Sequence, residues 1–440
     1  AALSAAREAV EIRRELASLN RDAYLPDLAG SLNNLGNRLS EVGQRDAALS
    51  AAREAADIRR ELANLNRDAY LPGLASSLNN LGNRLSAVGQ REGALSAAQE
   101  AAELYREIAS LNRDAYLPDL AMSLNNLGNR LSAVGQRDAA LSAAREAAEI
   151  RRELATLNRD AYLPGLASSL NNLGNRLSAI GQRDAALSAA REAAELYREL
   201  ASLNPDAFLP NLAGSLNNLG SMLSAVGQRD AALAAVREAA ELYRELASLN
   251  RDAFLPNLAG SLNNLGSMLS AVSQRDAALA AAREAADIRR ELAILNRDAY
   301  LPDLASSLNN LGNMLSAVGQ RDAALAAARE AAELYRELAT LNRAAHQPDL
   351  AMSLGTLGLV SLNAGNNEDA LSAFHEAAEH FRELSRMLPQ VFNSLLARTL
   401  VFFAQVAHKS GREEEAQAAL QEAAELLGED GLKALLQPQE

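Results

Sequence analysis

Ser31-Leu32-Asn33-Asn34-Leu35-Gly36 is the stretch that decides how this chain folds. The same six residues start again at Ser77, Ser123, Ser169, Ser215, Ser261 and Ser307, each 46 residues after the last. A degraded copy, Ser-Leu-Gly-Thr-Leu-Gly, starts at Ser353. Gly43-Gln44 returns in register at Gly89, Gly135, Gly181, Gly227 and Gly319, with Ser273 in the glycine's place once, and Gly365 and Gly411 keep the spacing. Self-similarity at a fixed period of this size marks stacked supersecondary units that bury their faces against one another.

Working outward, Leu28, Leu32, Leu35 and Leu39 lie four, three and four apart, one apolar face of a helix. That helix is expected from about Pro26, a residue suited to the first helical position, to Val42, with Gly43 as the stop. A second helix is expected from about Arg45 to Leu65. Ala48, Ala52 and Ala55 form its narrow apolar stripe, and Leu49, Ile58, Leu62 and Leu65 widen it. Residues 66–72 read as a link in which Leu71, ahead of Pro72, is extended. No alternation of period two occurs, so no strands are expected. The register implies nine first helices, starting near residues 26 to 390, and ten second helices. Residues 1–25 are then an orphan second helix and its link, 26–389 eight repeats, and 390–440 a divergent ninth repeat with a cap.

Composition fits thin layers. Of 440 residues 48% are apolar but only 4% aromatic, and Trp and Cys are absent. Ala and Leu must therefore supply the core, letting helices approach closely. The lack of Cys excludes disulfides, thiolate metal sites and a Cys nucleophile. A net charge of −13 argues against a nucleic-acid partner. All but two basic residues, Lys409 and Lys433, are Arg, which hints at a GC-rich bacterial genome. No run of 18 apolar residues is present, so no membrane span is expected. No leader is visible, and the chain begins with Ala inside the repeat. A cytoplasmic, excised or processed chain is expected.

Leu32, Leu35-Gly36, Leu39, Gly43, Ala48, Ala52 and Ala55 together reproduce the pattern of the tetratricopeptide repeat (TPR), with Leu where that pattern usually has Trp and Tyr. The 46-residue length is similar to the long-helix repeats of kinesin light chains and of many actinobacterial and cyanobacterial proteins. The resemblance covers essentially the whole chain. It implies an all-α, right-handed superhelical solenoid of stacked antiparallel helix pairs whose first helices line a concave groove. It does not fix a function, because such arrays carry many.

Signals for chemistry are sparse. There is no phosphate-binding GxxxxGK[ST] and no GxSxG elbow. His375 and His380 flank two Glu residues but stand five apart, so they fall on different helical faces and do not make an HExxH zinc site. No enzyme, metal or cofactor is expected. The Arg-Glu runs of the second helices read as a solvated face with i,i+4 pairs.

Asparagines carry the functional expectation. By the resemblance, Asn33, Asn37, Asn79, Asn83, Asn125, Asn129, Asn171, Asn175, Asn217, Asn263, Asn309 and Asn313 face the groove, with Ser221 and Ser267 substituting in two repeats. An amide offers both donors and an acceptor, so such a row can pair with the backbone of an extended peptide or protein segment. The alternative is that these rows, Asn34 and its equivalents above all, bond between neighbouring helices and set the stacking. The ladder ends at Gly355, Thr356 and Leu359, then Val401, Phe402 and Gln405. Leu359, Val401 and Phe402 would form an apolar pocket, unless residues 432–436 fold over it as a cap. Two further rows vary: Arg13, Arg59, Arg151 and Arg289 alternate with tyrosines, and Arg38, Arg84, Arg130 and Arg176 give way to Met222, Met268 and Met314. This concentrates Arg in the N-terminal half, which would either favour an acidic partner there or reflect drift among duplicated repeats. The expected function is a non-enzymatic interaction scaffold, by resemblance the sensor of a larger bacterial signalling or defence protein. A structural alternative is self-assembly through residues 1–19, where Leu3, Val10, Ile12 and Leu16 lack a partner.

Overall fold

The computed structural model describes residues 2–436, and every regular element among them is an α-helix. The chain divides into two compact units at Val226/Gly227. The first contains α1 (Ala2–Leu19), α2 (Arg21–Glu41), α3 (Arg45–Leu65), α4 (Arg67–Ala87), α5 (Arg91–Leu111), α6 (Arg113–Ala133), α7 (Arg137–Leu157), α8 (Arg159–Ala179), α9 (Arg183–Leu203) and α10 (Pro205–Ala225). The second contains α11 (Arg229–Leu249), α12 (Arg251–Ala271), α13 (Arg275–Leu295), α14 (Arg297–Ala317), α15 (Arg321–Leu341), α16 (Arg343–Ala364), α17 (Asn367–Met387), α18 (Pro389–Lys409) and α19 (Glu413–Leu436). Even-numbered helices are the first of each repeat and odd-numbered ones the second, in the expected number. Within each unit every helix packs antiparallel on the next, and first helices of successive repeats also touch, as α4 does α6 and α12 does α14.

The first helices begin five residues earlier than the prolines suggest. Asn66 is the whole connection between α3 and α4. Its backbone N–H closes α3 on the Leu62 carbonyl at 2.9 Å, and its side-chain oxygen caps α4 by accepting from the Ala69 N–H at 3.2 Å. Such an Asn cap outweighs the mild α-disfavouring of Leu71 before Pro72. Leu71 is accordingly helical, and Pro72 is the sixth residue of α4. The proline removes one hydrogen bond, to the carbonyl of Asp68, an exposed residue. The return from first to second helix takes three residues. Gly43 adopts φ 76°, and Gln44 donates back to the Leu39 carbonyl at 2.9 Å.

The core is built as the composition requires. Leu32, Leu78, Leu124 and Leu170 are almost fully buried, one per repeat, and face Ala48, Ala52, Ala55 and their equivalents. Gly82 allows the close approach: a Cβ there would stand 3.3 Å from the Ala94 backbone carbonyl. In α17 Phe374 stands where α5 has Ala98, and its ring fills the space over Gly358. Leu65 is not part of the stripe. It and its equivalents Leu19, Leu111, Leu157, Leu203, Leu249, Leu295 and Leu341 are at least 71% exposed. Each is the last residue of its helix, where the chain turns into the asparagine cap and carries the side chain off the packed face.

The ends differ from expectation too. Val10 of α1 is buried, and Leu3 packs on the same cluster, so of the four apolar residues Ile12 alone is exposed. Helix α18 is apolar and long enough to cross a membrane by length and mean hydropathy (1.2), but half of it is buried against its neighbours, as in a core helix. Helix α19 breaks at Gly428, φ 73° and ψ 164°.

Candidate functional site

The solvent-facing side of the first helices is a strip spaced three or four residues apart. In α2 it comprises Asp27, Gly30, Asn34, Arg38 and Glu41. The two asparagines of each Asn-Asn pair have opposite duties. Asn33 donates to Ser77 Oγ of the next first helix at 2.8 Å; Asn125 does the same to Ser169 at 2.8 Å and, in the second unit, Asn263 to Ser307 at 2.7 Å. Asn79, Asn171 and Asn309 accept from the serines Ser123, Ser215 and Ser353 at 3.0–3.2 Å. The serines are buried to within a few per cent, so each needs such a partner. This row therefore ties neighbouring repeats together. By contrast, Asn34, Asn80, Asn126, Asn172, Asn264 and Asn310 have no hydrogen-bond partner among the described residues and lie exposed or half-buried on the strip. Of the two readings, stacking between neighbouring helices is the part taken by the Asn33 row, expected to face a ligand, and not by the Asn34 row, to which the alternative chiefly assigns it. An adjacent pair stands about 100° apart around a helix, so one side chain points between repeats while the other points out.

The Asn37 row is shared. Asn37, Asn83 and Asn129 each accept a hydrogen bond, at 2.9–3.0 Å, from Arg84, Arg130 and Arg176 of the following repeat. Arg130 also reaches Ser86 Oγ. Burial pulls all three guanidinium groups below the usual arginine range. In the second unit Asn313 is exposed, Ser267 turns back onto its own helix at the Asn263 carbonyl (3.0 Å), and Met268 and Met314 replace the arginines. Asn175 and Asn217 lie half-buried in the same two rows.

The Arg/Tyr row of the second helices is held deeper. Arg59 and Arg151 donate to the carbonyls of Pro26 and Pro118 at 3.0 and 2.9 Å. Arg289 pairs with Asp303 at 2.9 Å, and Tyr335 Oη donates to the Pro302 carbonyl at 3.3 Å. Burial pushes the Tyr105 hydroxyl up to about 12.

At the C-terminal end Val401 is buried inside a cluster with Leu396, Leu400 and Phe374, and Leu359 and Phe402 lie half-buried on it. The Phe402 ring stacks on Phe374 with centroids 5.8 Å apart. Leu432 and Leu435 pack against the same cluster. No group of three potential metal ligands occurs among the described residues. His375 lies 3.5 Å from Glu379, and His380 faces Gln347 at 3.4 Å.

The outer face is ordered differently from expectation. Its arginines pair across repeats instead of along one helix. Arg14–Glu54, Arg60–Glu100, Arg106–Glu146 and Arg152–Glu192 form such pairs in the first unit, and Arg244–Glu284, Arg290–Glu330 and Arg336–Glu376 form the equivalent pairs in the second, at 2.6–3.0 Å. The partners are 40 residues apart, one 46-residue period less six residues. The within-helix pairs Arg60–Asp57 and Arg290–Asp287 are longer, at 3.6 and 3.5 Å.

The tetratricopeptide-repeat family model matches residues 28–67, 74–112, 120–155, 166–206, 212–250, 258–293 and 304–339. No curated protein matches the chain. Among solved structures, the apo form of RapI is similar at 14% identity and a TM-score of 0.56, over 91% of this chain and 97% of that one. A Rap protein complexed with Competence and Sporulation Factor aligns at 14% identity and 0.52, over 93% and 99%. Aspartyl phosphate phosphatase F from Bacillus subtilis aligns at 16% and 0.50, over 90% and 93%. At these identities the likeness is one of fold. The repeat pattern, the helix pairs and the seven matched segments agree: the chain belongs to the tetratricopeptide-repeat family.

Proposed function

We propose that the chain is a non-enzymatic scaffold that holds an extended peptide or protein segment along its first-helix face. The observation that carries this is the Asn34 row. Its amides are unpaired, recur in register from repeat to repeat and stand on helices whose neighbouring asparagines fix the spacing. Asn is a mediocre helix former, so an unpaired one repeated through the first helices up to α14 adds little to stability. Its two donors and one acceptor suit a ligand backbone, which repeats the same groups along its length. The Rap protein solved with Competence and Sporulation Factor shares the fold, and supports the idea that such an array holds a bound factor. In this reading the array is the sensing part of a larger bacterial signalling or defence protein.

The test is direct. Dodecapeptides selected on an array with the full chain are re-measured by fluorescence anisotropy against the Asn80→Ala, Asn126→Ala, Asn172→Ala triple variant. Each lost hydrogen bond is worth about 1 kcal/mol, so affinity should fall by at least about tenfold. Unchanged affinity in a variant with unchanged circular dichroism would sink the proposal.

A further inference from the structure

The first unit carries an electrostatic feature that the fold does not require. Arg84, Arg130 and Arg176 stand in one row, one per repeat, on the C-terminal half of the first helices. Each lies in the last turn, where a cation suits the helix dipole. Each donates to an asparagine of the preceding repeat, and none has a carboxylate within 4.0 Å among the described residues. The Nε atoms of Arg130 and Arg176 are buried without a partner. In the repeat before them Arg38 is neutralised by Glu41 at 2.9 Å. At the equivalents of Glu41 the next three repeats have Ala87, Ala133 and Ala179. A chain of net charge −13 thus leaves Arg130 and Arg176 with no carboxylate acting on them and Arg84 with Glu41 only at longer range, while the outer face pairs its arginines repeat after repeat.

From this we infer that the row recognises an acidic extended protein segment, one carboxylate per repeat, within the groove already proposed and resting on that reading. Three observations converge. Arginine's planar fork binds carboxylate bidentately, and each of these has donors to spare after its bond to Asn. The asparagine bond and the flanking repeat hold the guanidinium in place before any ligand arrives. Finally, the spacing is regular. Packed helices stand about 10 Å apart, and an extended chain in the polyproline II conformation, with three residues per turn at about 3.1 Å each, returns to the same face about every 9 Å, so an acidic residue at every third position meets successive arginines. In the second unit the row becomes Met268, Met314 and Val360 and offers no such contact.

The experiment uses the full chain and two labelled probes, (Asp-Ser-Ser)4 and its neutral counterpart (Asn-Ser-Ser)4, measured by anisotropy at low and moderate salt. The acidic probe should bind at least about tenfold more tightly, with an advantage that shrinks as salt rises. The Arg84→Met, Arg130→Met, Arg176→Met variant should lose that advantage. Methionine is what the same row holds in the second unit, so the scaffold accommodates it. Should that variant fail to fold, Arg84→Lys, Arg130→Lys, Arg176→Lys replaces it, and retention of charge without the fork should leave only part of the preference. Equal binding of both probes would overturn this inference and leave the groove reading standing. Binding of neither would overturn both. An oligothymidylate of equal charge that displaces the acidic probe as well as unlabelled (Asp-Ser-Ser)4 does would overturn the assignment to a protein segment.

Discussion

The two units share a backbone register but join their repeats with different chemistry. In the first, as far as α8, the first-helix row is Asn83–Arg130 and Asn129–Arg176, hydrogen-bonded across repeats and partly stripped of water, before α10 brings Ser221 and Met222. In the second, the same row is Ser267 and Met314, and toward the C-terminus the packing turns aromatic, with Phe374 against Gly358 and Phe402. The repeat therefore tolerates polar or apolar joints in this row. What both units retain is the leucine under the asparagines, the glycine at the helix crossing and the buried serine. Those residues make the fold, and the variable row is free to make the surface.

This contrast can be broken most forcefully at Phe374. Phe374→Ala empties the aromatic joint of the second unit and should cost about 3–5 kcal/mol in denaturant unfolding; a loss below about 1 kcal/mol would show that the cluster closes over the gap. Next comes Ser123, buried in the first unit. Ser123→Ala leaves the Asn79 amide without its partner and should cost about 1–3 kcal/mol. A neutral result would mean that the Asn33 row does not hold repeats together. Third is Ser273, which holds φ 61° where other repeats have glycine. Ser273→Gly should stabilise the protein by about 1 kcal/mol, and any loss in thermal melting would contradict the strain. The smallest effect belongs to the outer face, which the units share. Arg106→Ala and Arg290→Ala each remove an exposed pair and should cost less than about 1 kcal/mol, by equal amounts, and less still at high salt. Unequal losses would show that this face, too, is specialised.

A pH test sharpens the other variable row. Burial raises the Tyr105 pKa from its ordinary 10.0 to about 12, so the folded chain holds that proton more tightly than the unfolded one. The stability it contributes is complete below pH 10 and is lost as pH rises from 10 through about 12. Tyr105→Phe should flatten part of the decline in melting temperature over that window.

Much of this molecule is legible from spacing. The count of helices, the limits of the second helices, the absence of strands and the family all follow from a 46-residue period carrying leucines three and four apart and glycines at the turns. Local chemistry decides these, because each repeat supplies the same caps and the same apolar stripe. The first-helix start was hidden because Pro26 is a louder signal than Asn20, and only the folded chain shows the asparagine closing one helix while opening the next. The polar rows were beyond a linear reading for a different reason. Whether Asn33 or Asn34 points between repeats depends on the rotation of each helix against its neighbour, and whether Arg106 meets a glutamate four or 40 residues away depends on which helices lie side by side. Those are distances across the stack, so the tertiary structure alone settles which amides are tied into the fold and which remain free to meet a partner.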